Sequence, residues 1–289
     1  MQNQTASISS STLRPTAIPP VAGKSRGCPM HGLFAPGEGV RSSLAGRLGV
    51  FAFGLLAYAM FFGTILYAIG FVSGAVVPKH IDSNPRIDQP IYVTLLINTG
   101  LLMLFVVQHT IMARPAFKRW WTRIVPPAME RSIFVALASA ILMLLFWQWR
   151  AMPGVIWDVS HLPALKWTLI GLSLAGWAIV FASSFMVSHF DLFGLRQVWL
   201  RLQDRPYQHI TFRLVGFYKL VRHPLMVGFL IAFWVTPTMT CGHMFFAAMT
   251  TLYILFGTWI EERDLVACFG DTYREYQRKV RAFVPLPRN

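Results

Sequence analysis

Residues 224–260, PLMVGFLIAFWVTPTMTCGHMFFAAMTTLYILFGTWI, contain no Asp, Glu, Lys or Arg over 37 positions. A helix needs only about 20 apolar residues to cross roughly 30 Å of hydrocarbon, so this window is too long for one crossing. Within it, Thr236-Pro237-Thr238-Met239-Thr240-Cys241-Gly242 sets a proline and a glycine among hydroxyl side chains, which is a turn signal. The window is therefore expected to fold as a helical hairpin whose ends, at Pro224 and near Ile260, return to the same face of a bilayer. The first arm has about 13 residues, roughly 20 Å of helix, and full spans and a re-entrant pair both remain open.

Four more charge-free windows precede it, at 48–72, 91–112, 132–149 and 167–187, with 25, 22, 18 and 21 residues. Each suits one crossing. The 289-residue chain is 55% hydrophobic and only 13% charged, with a mean hydropathy of +0.50, too apolar for one soluble core. The expected fold is all-α: a polytopic membrane bundle of four spans plus the C-terminal hairpin, five to six membrane helices in all. Of the 26 Lys and Arg, 22 fall before Leu48, in 113–131, in 188–223 or after Ile260, and four in the other two connections. By the positive-inside rule both termini face the cytoplasm. The net charge of +14 is then a signal of topology and of the lipid bilayer as partner. Nucleic-acid binding is disfavoured, because no basic stripe carries interleaved aromatics. A transporter is disfavoured by the lack of charge within the spans and of an inverted repeat.

Residues 1–44 are rich in Ser, Thr, Pro and Gly and read as a disordered cytoplasmic tail ahead of a membrane domain at 45–289, with no signal peptide before the first span. Cys28, Cys241 and Cys268 stand apart, which supports neither a disulfide framework nor a CxxC metal site. Cys28 with His31 is a weak metal hint, and no metal is expected.

The hairpin ends carry the chemistry. Arg222-His223 precede Pro224, a residue suited to the first helical position, and leave a positive helix end that fits a carboxylate or phosphate. At the other end stands Glu261-Glu262-Arg263-Asp264, then FGDTYREY at 269–276. Carboxylates beside a cationic helix mouth match a zwitterionic ligand that also carries hydroxyls, such as S-adenosylmethionine. Two plainer readings stay open: Arg222 and His223 as interfacial anchors, and the glutamates as surface ion pairs that contribute little.

RHPLMVG, EERDL and FGDTYREYQRKV together resemble the C-terminal half of the isoprenylcysteine carboxyl methyltransferase-like membrane superfamily. Residues 108–132, 188–200 and 233–247 are similar to a narrower group, the bacterial methanethiol S-methyltransferases, and the likeness spans roughly 45–285. The resemblance implies S-adenosylmethionine as co-substrate, held by a segment at 219–276 through Arg222, His223, Leu225, Met226, Gly228, Glu261, Glu262, Tyr273 and Tyr276. It further implies a small thiol substrate and a multi-pass location in a bacterial inner membrane. Met226 departs from the superfamily pattern, which often has tyrosine there, so a hydroxyl contact is lost.

Methyl transfer to a thiol is helped by a base, and histidine has the side-chain pKa nearest neutrality. The candidates at the ends of spans are His189 with Asp191, a histidine oriented by a carboxylate, and His109 beside Gln108, with Glu130 next to Arg131 a further polar group. His243 falls in the turn and reads as structural. Trp120, Trp121, Trp147 and Trp149 read as interfacial belts. The small residues Gly171, Ser173, Gly176, Ser183 and Ser184 suit close helix packing or a narrow cavity. Competing functions are methylation of a larger lipidic or prenyl-cysteine acceptor and a non-enzymatic NnrU-like membrane protein.

Overall fold

The computed structural model describes residues 43–83, 89–207 and 214–286. The expected tail, with Cys28 and His31, lies outside the described residues except for 43–44. In chain order the described helices are α1 (Leu44–Ser73), α2 (Ile91–Ala113), α3 (Pro115–Trp121), α4 (Pro127–Gln148), α5 (Pro163–Val187) and α6 (His189–Leu192). They continue with α7 (Leu195–Leu202), α8 (Pro224–Trp234), α9 (Cys241–Phe269) and α10 (Asp271–Lys279), with a 3₁₀ turn at Gly216–Lys219 before α8. Five of them, α1, α2, α4, α5 and α9, are long and apolar enough to cross a membrane. Proline opens α3, α4, α5 and α8, where its missing N–H is harmless. Gly74, at φ 70, closes α1 in the left-handed conformation that glycine adopts without strain.

The hairpin forms, with unequal arms. α8 has 11 residues, about 16 Å of helix, whereas α9 has 29 and runs unbroken through the EERD stretch instead of ending near Ile260. Between them the chain is extended. Strand β2 (Thr238–Thr240) pairs antiparallel with β1 (Val155–Asp158) from the α4–α5 connection, so the turn is tied to the end of the bundle opposite the mouth of α8.

The short α8 is held by α5. Its Pro224, Gly228 and Ala232 are buried, a small-residue stripe at spacing four that lets two backbones approach. A Cβ on Gly228 would lie 2.6 Å from the Gly176 carbonyl oxygen and 2.9 Å from the Val180 nitrogen, and one on Gly176 would lie 2.7 Å from the Gly228 oxygen. Ser173 adds a hydrogen bond to the Ala232 carbonyl at 3.1 Å. Gly176 and Ser173 of α5 thus serve packing, whereas nothing lies within 4 Å of a Cβ on Gly171.

Polar contacts divide the bundle into two ends. At the basic end Arg47, from the start of α1, meets Asp204 at 3.7 Å. Arg114, just past α2, meets Asp264 of α9 at 2.9 Å, and Arg131, near the start of α4, donates to the Leu192 carbonyl. At the other end Asn98 and Arg150 exchange two hydrogen bonds, Lys79 bonds the Trp147 carbonyl, and Thr240, which caps α9, donates to Asp82. His243 sits there, buried, on the Phe233 carbonyl at 2.8 Å. The core between the ends is built from Phe71, Ile81, Leu145, Phe146, Trp149, Trp177 and Phe246. Trp149 is therefore a core residue, whereas Trp120 and Trp147 are exposed as belt residues should be. Cys241 is free.

Candidate active site

The two ends of the hairpin window meet. The chain entering α8 is held by the segment after α10: the Arg222 amide donates to the Arg281 carbonyl at 2.9 Å and the His223 amide to that of Ala282 at 3.1 Å. This fixes both side chains over the last turns of α9. Glu262 receives them. Arg222 Nε donates to Glu262 Oε1 at 2.7 Å, with Nη2 at 2.6 Å, and His223 Nε2 lies 3.0 Å from the same oxygen. Gln277 of α10 donates to Oε2 at 3.1 Å. Arg222 Nη1 donates to the Gln277 and Val280 carbonyls, satisfying acceptors that the end of α10 leaves without intrahelical partners. The Arg222 side chain is 8% exposed and that of Glu262 19%. Both charges are thus consumed inside the protein, and Arg222 clamps α8 to α9 and α10 where the sequence suggested a free ligand-binding cation.

Glu261 is different. Its only ion-pair contact among the described residues is His223 Nδ1 at 3.6 Å, and 51% of the side chain is exposed. Yet it stands seven residues after buried Ile254, three after buried Thr258 and seven before buried Cys268, on the bundle-facing side of α9. A half-exposed carboxylate on this side leaves α9 open to solvent at that position. Tyr218, on the 3₁₀ turn, borders it: burial first, and the Glu261 carboxylate second, push its phenol pKa up to about 12, so it remains a hydroxyl donor at neutral pH. Tyr276 is buried and donates to the Tyr218 carbonyl, and the ring of buried Tyr273 packs edge-on against Tyr276 at 5.7 Å. Burial raises both phenol pKa values as well. The two predicted tyrosines therefore support the wall that carries Tyr218.

Leu225 and Met226 lie partly buried in the first turn of α8. Gly228, predicted beside the ligand, faces α5 instead, because the spacing of four that aligns it with Pro224 and Ala232 also aligns it with the packing seam.

The His189–Asp191 dyad is not formed. Positions two apart on a helix do not face each other, and Asp191 is drawn to Arg196 at 3.0 Å and to the Tyr207 hydroxyl at 3.0 Å. His189 is 3% exposed, stacked on Phe185 with ring centroids 4.2 Å apart. Its Nδ1 lies 2.8 Å from Ser184 Oγ and its Nε2 2.8 Å from the Tyr58 hydroxyl. Ser184 also donates to the Phe181 carbonyl, and both ring nitrogens of His189 are thereby engaged. Burial lowers the His189 pKa, keeping the ring neutral. Glu130 is buried with Lys118 at 3.6 Å. His109 packs between Phe105, at 5.1 Å, and Phe134, at 4.9 Å, with Tyr253 of α9 edge-on at 6.4 Å.

Sequence reasoning missed Tyr218, Gln277 and Tyr58, and read Ser184 only as a small residue for packing or a narrow cavity. Only Tyr218 had a local signal, its place four residues before the RHP motif. Among the described residues no group of three or more His, Cys, Asp or Glu could hold a metal ion. The arrangement can hold a cationic or zwitterionic ligand against Glu261, with hydroxyl donors beside it.

No family model matches the chain, and no solved structure is similar to it. Curated proteins are. The chain is 48% identical over 259 residues to Methanethiol S-methyltransferase 1 of Bradyrhizobium diazoefficiens, covering 90% of each chain. It is 51% identical over 235 residues to Methanethiol S-methyltransferase of Mycobacterium tuberculosis, covering 81% of this chain and 95% of the relative. A more distant relative is Nurim of Bos taurus, 30% identical over 185 residues, 62% of this chain and 70% of Nurim. With identities of this size over nearly the whole membrane bundle, the chain belongs to the methanethiol S-methyltransferase family.

Proposed function

We propose that the protein methylates methanethiol to dimethyl sulfide, with S-adenosylmethionine as methyl donor, at the basic end of the bundle facing the cytoplasm of a bacterial inner membrane. The observation that carries the reading is Glu261: a half-exposed carboxylate on an inward helix face, its neighbour Glu262 already paired with Arg222 and in contact with His223. The donor supplies an electrophilic methyl on a sulfonium. Glu261 binds its ammonium or ribose hydroxyls, with Tyr218 as a neutral hydrogen-bond donor alongside. The first-turn amides of α8, at Leu225 and Met226, favour its carboxylate.

The chain contributes positioning and exclusion of water. Thiolate and sulfonium neutralise each other as the methyl moves, so a dry recess favours progress, and holding sulfur, carbon and sulfur in line supplies much of the acceleration. A thiol whose pKa is at or above that of cysteine, about 8.5, is mostly protonated at neutral pH. A base therefore helps. His189, buried, and His109, partly buried, are the histidines toward the basic end that no carboxylate holds, whereas His223 is held by Glu262.

The test is headspace analysis of membranes given methanethiol and methyl-labelled S-adenosylmethionine. Labelled dimethyl sulfide is expected. Labelled product only from a farnesylated thiol would turn the reading to a prenyl acceptor, and bound donor without any product would reject transfer altogether.

A further inference from the structure

Among the buried polar atoms without hydrogen-bond partners in the described residues are Thr258 Oγ1 on α9, one turn before Glu261, and His109 Nδ1 on α2, whose ring meets Tyr253 of α9. A threonine inside a helix usually bonds back to the carbonyl four residues earlier. Thr250 and Thr251 of the same helix do so, to Phe246 and Ala247. Thr258 does not, although it is 4% exposed.

Next to Thr258, α9 has a gap. Tyr253, Gly257 and Glu261 follow at spacing four and share one helix face. A Cβ built on Gly257 would meet only Tyr253 Cε2, at 4.0 Å. The missing side chain thus leaves an open notch on this face of α9, with Glu261 one turn toward the cytoplasm and Tyr253 one turn below. The Thr110 hydroxyl, 3.4 Å from the Tyr253 hydroxyl, and the edge-on His109 ring hold α2 against that face.

We propose that the acceptor thiol sits in the notch at Gly257 and that His109 Nδ1 takes its proton. This inference rests on the methyl-transfer reading above and adds where the acceptor binds and which group serves as base. The thiol sulfur forms a bond to the methyl carbon of the sulfonium donor held at Glu261. The donor's S–CH₃ bond breaks and its electron pair stays on the donor sulfur, which becomes a neutral thioether. The thiol proton passes to His109, which returns it to the cytosol. His109 suits the role better than His189, whose two nitrogens are already occupied by Ser184 and Tyr58. A notch one side chain wide also accounts for a methyl thiol fitting where a prenyl chain would not.

The charged and titratable groups facing His109 come from every element around it. Arg131 of α4 stands over Phe134 at 5.0 Å, with Glu130 beside it, Arg114 follows α2, and Tyr253, Glu261 and Asp264 belong to α9. Arg114 and Asp264 neutralise each other at 2.9 Å, which leaves Arg131, across the Phe134 ring, as the charge nearest His109 among these groups.

The test uses the full chain in membranes. Gly257→Ala fits at ordinary contact distance and keeps the fold, while Gly257→Val fills the notch. The expected result is a KM for methanethiol rising a few-fold for Ala and at least tenfold for Val, with donor affinity within twofold of the unmodified protein. In donor-free protein, millimolar methanethiol should raise the melting temperature of the unmodified chain and not of Gly257→Val. For His109→Ala, the unmodified protein's rate should level off once imidazole is neutral, whereas the variant's rate should keep climbing about tenfold per pH unit as hydroxide ionises the thiol. An unchanged KM in Gly257→Val, or a plateau retained in His109→Ala, would overturn the proposal. Absence of dimethyl sulfide from the unmodified protein would instead defeat the transfer reading itself.

Discussion

Glu261 and Glu262 are adjacent and chemically identical, yet changing each to glutamine should give opposite phenotypes. Glu262 accepts from Arg222, His223 and Gln277, and its removal leaves the Arg222 guanidinium, 8% exposed, without a counter-charge. Breaking a buried ion pair on one side costs about 3–5 kcal/mol. Both residues retain some solvent contact, so about 2–3 kcal/mol is the expected loss. Against a native stability of order 10 kcal/mol, that is a substantial fall in melting temperature. Glu261 has one contact at 3.6 Å and is half exposed; its loss should cost less than about 1 kcal/mol of stability. If it holds the donor's cationic or hydroxyl groups, a charge-assisted hydrogen bond of about 1.5–3 kcal/mol disappears, roughly 10- to 150-fold in Kd. Thermal unfolding in detergent and isothermal titration with S-adenosylmethionine measure the two effects separately. Glu261→Gln should bind donor at least tenfold more weakly with a near-normal melting temperature, and Glu262→Gln should melt markedly earlier. Normal donor affinity in Glu261→Gln would refute the placement of the donor, and normal melting of Glu262→Gln would refute the clamp.

Two further outcomes follow from packing and burial. Gly228→Ala places a methyl 2.6–2.9 Å from backbone atoms of Gly176 and Val180, where nothing flexible can yield, so α5 and α8 must separate; overpacking of this kind costs about 1–3 kcal/mol, read as a lower melting temperature and weaker donor binding together. His189 titrates below its unfolded value because it is buried. The unfolded chain therefore binds the proton first, so stability should be constant above pH of about 6.5 and decline as pH falls below it. A melting-temperature profile against pH should show that decline reduced in His189→Gln, and an identical decline in both proteins would exclude His189 as a source.

The hairpin was readable because charge avoidance is an absolute demand of the hydrocarbon layer: 37 uncharged positions with a Pro–Gly break admit little else. The meeting of its two ends followed from counting faces. What the sequence did not disclose were choices between partners. Arg222 reads as a free cation until the carbonyls of Gln277 and Val280 claim it, and a carbonyl has no identity in a sequence. Asp191 reads as the partner of His189 by proximity, but Arg196 and Tyr207 compete for it and win on geometry, since residues two apart on a helix diverge. Gly228 sits inside the motif that suggests a ligand, yet its spacing from Pro224 and Ala232 is that of a packing stripe.

The unequal arms connect these points. Because α8 is only 11 residues long and its far end is completed by an extended segment and the β1–β2 ribbon, its position along the bundle axis is set by α5 through the glycine seam and by Arg222 at the mouth. A full-length span would be located by its own hydrophobic match to the bilayer; this one is located by side-chain contacts. The level of the α8 mouth, and with it the distance from the first-turn amides of α8 to Glu261 on α9, is fixed by packing of neighbouring helices. In-line transfer loses rate steeply with a displacement of about 1 Å. The small residues of α5, though remote from the chemistry, therefore belong to the machinery that aligns donor and acceptor.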